Sequence, residues 1–191
     1  MPRGARAVPE TLAVFLAVFG LERSTAVTGL GPAAFALSLP LSVHPWTVAT
    51  SVYAHASVGH LLANAVAFLV VGLLVARRTS RVRFHAFVLS TGALSGVATV
   101  ALGSLLGQHV AVLGASGAIM ALIGYLLAGN LATETLLGRV RLPRRAWVVV
   151  VVALAAGVAV VTAGPHVAVT AHVTGFLVGV ATGRRHVLQA A

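Results

Sequence analysis

The chain has 191 residues, of which 59% are hydrophobic and only 8% charged, with a formal net charge of +10. A soluble domain is about 45–50% apolar and about 25% charged, and a chain of this size has too little interior to hide the excess from water, so the composition points to lipid as the solvent and away from a soluble globule. Cysteine is absent, which excludes disulfides and thiolate chemistry.

In lipid every backbone polar group must be satisfied inside the protein, which leaves helices or closed barrels. The apolar runs approach or exceed the ~20 residues a spanning helix needs and lack the alternation of barrel strands. The expectation is an all-α, polytopic membrane bundle of six transmembrane helices, one domain over residues 1–191. The first helix is short, from about Pro9 to Leu21 or a little beyond. It ends at Glu22-Arg23 without the small-residue cleavage site of a signal peptide. The segment from about 22 to 56 carries Gly29, Gly31, Pro32, Pro40 and Pro45. A loop of this length is usually functional or disordered. Its Phe35, Leu37, Leu39, Leu41 and Trp46 suit a position on the bilayer surface. The second helix is expected from Ser57 to Ala76, the third from Phe84 to Leu106 and the fourth from Leu113 to Thr133. The fifth follows from Trp147 to Ala163 and the sixth from Val167 to Thr182.

All thirteen basic residues are arginine. Twelve fall before the first helix, in the second-to-third and fourth-to-fifth connections, or after the sixth; only Arg23 falls on the other side. The positive-inside rule then places both termini in the cytoplasm and residues 22–56 outside. Because the arginines sit between apolar spans and not along one face, the positive charge is not read as a nucleic-acid footprint.

Ionisable and polar side chains within spans are costly and mark function by default. The second helix carries His60 and Asn64, four apart and so on one face. The fourth carries Ser116 within Gly114-Ala115-Ser116-Gly117, and the sixth carries His172 within Ala171-His172-Val173-Thr174-Gly175. These three helices all enter from outside, and His60, Ser116 and His172 each fall within a turn or two of entry. At ~1.5 Å of rise per residue they share one shallow depth. Gly175 and Gly179 follow His172 on one stripe, and Gly117, Ala121 and Gly124 offer small residues on the fourth helix, spacing that lets membrane helices approach closely. Such an approach brings the His172 imidazole to the Ser116 hydroxyl, a weak nucleophile until a base takes its proton. There is no Asp, and Glu10, Glu22 and Glu134 are read as lying outside this layer, which leaves a Ser-His dyad. Donors for an oxyanion could be the side chains of His60 and Asn64, or backbone N–H groups near the start of the fourth helix, at Gly114 and Ser116.

These residues resemble those of the rhomboid intramembrane serine proteases, of the prokaryotic six-helix type. Trp46 to Asn64, with His60-x-x-x-Asn64, is similar to the family's first loop and second helix. GASG at Gly114–Gly117 resembles its nucleophile motif, and AHVTGFLVG at Ala171–Gly179 its histidine helix. The resemblance covers about Trp46 to Gly179. It implies a multi-pass protein of the plasma membrane that hydrolyses peptide bonds in or near the transmembrane segments of membrane-protein substrates. It implies an acyl-enzyme on Ser116 with His172 as base, and no metal or other cofactor. Two positions depart from the family pattern: Thr47 after Trp46 where Arg is frequent, and Met120 where an aromatic residue often packs on the catalytic histidine.

Structural readings compete for the other residues. His55 is read as structural, and His85, His186 and the arginine clusters as headgroup contacts. His44, His109 and His166 are read as loop residues, and Trp46, Trp147 and Tyr53 as interfacial anchors. No His-Glu-x-x-His motif is present, so a metal is not expected. The alternative function is a catalytically inactive rhomboid-like protein that binds transmembrane helices. A transporter would place its polar residues near the bilayer midplane, between repeated halves, and neither feature is evident.

Overall fold

The computed structural model describes residues 4–27, 29, 31–129 and 169–189. The expected fifth helix, the arginines at 139, 141, 144 and 145, and His166 lie outside the described residues. Among those described, the chain is helical: α1 (Ala7–Ala26), the single turn α2 (Thr47–Thr50), α3 (Val58–Ala76), α4 (Arg81–Leu105), α5 (Ser116–Gly129) and α6 (Val169–Gly183). One isolated antiparallel bridge joins Leu37 to Val112, with N–H···O distances of 2.8 and 2.9 Å.

Local chemistry explains the boundaries. Ser57 and Ser80, both extended, cap α3 and α4 by accepting from the N–H groups of His60 (3.1 Å) and Arg83 (3.3 Å); a cap of this kind contributes about 1 kcal/mol. α1 continues past Leu21 to Ala26. Glu22 and Arg23, taken as the stop, are instead satisfied from within the helix: Glu22 accepts from His55 N–H and Arg23 donates to the Ala56 carbonyl. α5 starts later than Leu113 because Gly114, at φ 120°, cannot be helical.

An aromatic ladder ties the first three long helices together. The rings of Phe15 (α1), Phe68 (α3) and Phe84 (α4) are all fully buried, at centroid distances of 5.4 and 5.9 Å. At the other end of α1, Glu10 pairs with Arg81 (2.7 Å) and His85 (3.0 Å) of α4. His85 is therefore committed to a carboxylate, and the headgroup reading of it is corrected. The tail after α6 folds back, with Leu188 N–H donating to the Tyr125 hydroxyl at 3.2 Å.

The usual order of a globule is inverted. Leu62, Val66, Leu69, Val70 and Leu74 of α3 face outward, while Asn64, Phe68 and Gly72 face inward. On α4 the buried hydroxyls Thr91, Ser95 and Thr99 each donate to the carbonyl four residues back, at 2.7–2.8 Å, so their burial leaves no polar atom stranded. Two helices, α3 and α4, are long and apolar enough to cross a membrane, and α5 and α6 are shorter apolar helices over the described residues.

The long loop docks on α4 with part of its apolar surface and not on a bilayer alone. Val52 packs where a Cβ on Gly92 would lie 2.6 Å from its methyl group, and Leu37 packs likewise on Gly96. Both are buried, whereas Leu39 and Trp46 remain exposed. Tyr53, expected as an interfacial anchor, is half-buried beside Phe15 at 6.2 Å.

Candidate active site

The turn before α5 is shaped by Gly114. Its N–H donates to the Ser51 carbonyl at 2.8 Å, which fastens the turn to the long loop. Its φ of 120° suits glycine, and a Cβ there would lie 2.7 Å from Cε1 and 2.8 Å from Nε2 of His60. What Gly114 provides is room for the His60 imidazole. Its N–H, weighed from sequence as an oxyanion donor, is already spent on Ser51. Ser116 follows, half-buried, as the first residue of α5. Ala115 accepts from Ile119 N–H at 2.9 Å, so the N–H groups of residues 116–118 precede the first intrahelical bond, where a helix favours negative charge.

α5 and α6 cross backbone to backbone. A methyl group on Gly175 would strike the Gly117 carbonyl, and one on Gly179 the Ala121 carbonyl. One on Gly183 would lie 2.6 Å from the Tyr125 carbonyl oxygen, and from the other side one on Gly124 would strike the Phe176 carbonyl. The Ala171 carbonyl oxygen in turn lies 3.5 Å from the position a Cβ on Gly117 would take. Gly117 follows Ser116 and Ala171 precedes His172, so this crossing brings the two residues into one layer. His172 is the fourth residue of α6 and its ring is buried.

His60, third in α3, enters the same layer. It packs on the Gly114 backbone, two residues before Ser116. Asn64, one turn below and buried, donates from Nδ2 to the His60 carbonyl at 2.9 Å. An amide nitrogen carries two hydrogens, so one remains to donate elsewhere. Met120 packs with Phe176 and Val180 of α6, one turn below His172. Among the described residues no three His or Glu side chains lie close enough to hold a metal ion.

Sequence reasoning set Glu22 outside this layer. The structure places it, fully buried, against the His55 backbone (Oε2···N 3.2 Å), and the His55 ring stands edge-on to His60 at 5.2 Å. The signal was present in the sequence: a carboxylate beside an arginine at the outer end of an apolar helix has to find donors or leave the helix. Burial holds the His55 imidazole neutral, pushing its pKa down to about 4.

A family model of the rhomboid domain matches residues 42–187, from the long loop into the tail after α6. RHOMBOID-like protein 1 of Arabidopsis thaliana is 28% identical over 181 residues, which is 90% of this chain and 44% of the plant protein. The chain belongs to the rhomboid family. It spans less than half the length of that curated relative.

Proposed function

We propose that the chain is a multi-pass intramembrane serine endopeptidase, with six spans and both termini in the cytoplasm, that cleaves membrane proteins in or near their transmembrane segments. The observation that carries this reading is the seating of Gly175 on the Gly117 backbone, which sets the helix of His172 against the helix of Ser116 at the depth of His60. Membrane embedding draws on the outward leucines and valines of α3, since large exposed apolar surface marks a membrane or partner face.

In this mechanism His172 takes the proton of Ser116 as the hydroxyl oxygen attacks the scissile carbonyl. The oxyanion is met by first-turn N–H groups of α5, by the free amide hydrogen of Asn64 and by His60. His172 then passes its proton to the leaving amine, and water releases the acyl group by the same steps in reverse roles. Glu22 is turned to the His55 backbone and is not assigned as a partner of the base.

The test is labelling of purified protein by a serine-reactive fluorophosphonate, together with cleavage of a transmembrane substrate. Both signals are expected from the native chain and neither from Ser116→Ala. A folded native chain that neither labels nor cleaves would instead fit a rhomboid-like protein that binds transmembrane helices without turnover.

A further inference from the structure

A carboxylate is rarely buried completely, because desolvation costs more than one hydrogen bond returns. Glu22 is 0% exposed. Its Oε2 accepts from His55 N–H, while Oε1 has no hydrogen bond and lies 3.6 Å from the Arg23 guanidinium. Arg23 uses the same nitrogen to donate to the carbonyls of Ala56 (2.8 Å) and His55 (3.4 Å). Two successive residues of α1 thus stitch the end of the long loop, His55-Ala56, immediately before the Ser57 cap of α3.

That stitch has a direct consequence for the site. The His55 ring, also 0% exposed, is wedged between Phe15 at 4.9 Å and His60 at 5.2 Å. Its Nδ1 donates to the Tyr53 carbonyl at 3.0 Å, which fixes the ring's rotation. The His60 imidazole, pressed from behind by His55, meets Gly114 in front. A contiguous set of contacts therefore runs from α1 through His55 and His60 to the turn that carries Ser116.

We infer that Glu22 is a positioning residue, which through His55 sets where the His60 imidazole stands over the Gly114–Ser116 turn. The inference rests on the Ser116–His172 reading of the site. A purely structural carboxylate would affect folded yield alone. A positioning carboxylate acts on turnover, and only while His60 is present.

The experiment measures kcat and KM on equal amounts of folded full-length protein. Glu22→Gln keeps the volume and an acceptor oxygen for His55 N–H; Glu22→Leu keeps the volume and loses the acceptor. Glu22→Gln should stay within about threefold of native kcat, while Glu22→Leu should lose about 10- to 100-fold with KM changed less than about twofold. In a His60→Ala background Glu22→Leu should cost almost nothing further, since coupled residues are not additive. Arg23→Ala, on the exposed side of the same stitch, should show a smaller loss that also vanishes without His60, and it carries the test if Glu22→Leu does not fold. Additive losses with His60→Ala, or equal turnover for Glu22→Leu and native protein, would overturn the inference while leaving the dyad intact. Absence of any Ser116-dependent cleavage in the native chain would remove the dyad reading first, and this inference with it.

Discussion

Ser116 and His172 act on one proton, so their removals should not add. His172→Ala is expected to cost nearly as much as the Ser116→Ala/His172→Ala pair, because members of a catalytic unit fail together. Asn64 contributes at most one amide hydrogen to the oxyanion, the other being held by the His60 carbonyl, and first-turn N–H groups of α5 survive its loss. Asn64→Ala should retain measurable cleavage, down by roughly 10- to 1000-fold, with slower labelling of Ser116. If His172→Ala kept more activity than Asn64→Ala, the base would have to be assigned elsewhere, with His60 the first candidate. His55 carries a different prediction. Its pKa lies near 6.5 when unfolded and is pushed down to about 4 by burial in the native loop. Between these values the unfolded chain binds a proton that the native chain refuses. Stability should therefore be full above pH ~6.5 and decline as pH falls toward 4, by at most about 3 kcal/mol. Thermal unfolding in detergent across that range reads it, and His55→Phe should make the slope shallower than that of the native chain.

At the scale of elements, the α5–α6 crossing brings two backbones into direct contact, and it depends on the absence of side chains. Gly179→Val would drive a branched side chain into the Ala121 carbonyl. Overpacking of this kind costs about 1–3 kcal/mol, and parting the helices should lower turnover as well. Gly20→Ala is the control: nothing lies within 4 Å of the added carbon, and in an exposed helix interior alanine is favoured over glycine by about 0.5–1 kcal/mol, so this variant should melt no lower than native. Equal melting of the two variants would mean that α5 and α6 do not cross where Gly179 meets Ala121. The sequence reading placed α3 and α4 within a few residues of their observed ends, because a long apolar run is a strong local signal. The start of α5 was missed by three residues because GASG reads as helix until Gly114 turns it aside.

For the whole molecule, the asymmetry of arginine predicts orientation. Reporter fusions after Arg83, Arg145 and Arg185 should read cytoplasmic, and one at Gly107 should read external. An internal signal at Gly107 would place the layer of His60, Ser116 and His172 on the wrong side of the membrane. The long loop bears on this too. With Leu37 and Val52 buried on α4 and Ser51 holding Gly114, it is a structural wall of the site as well as a connection between helices.

The sequence alone determined that the chain suits lipid, which residues could carry acyl transfer, and that small residues stripe both partner helices. Composition, charge and short-range spacing are local properties and can be read without coordinates. Only the tertiary structure decided the fate of Glu22, His85 and the Gly114 N–H. Each is settled by a partner at least thirty residues away: Glu22 by His55 (3.2 Å), His85 by Glu10 (3.0 Å), Gly114 by Ser51 (2.8 Å). A buried polar group is satisfied by whatever donor or acceptor the fold carries to it, and no spacing along the chain encodes which one arrives.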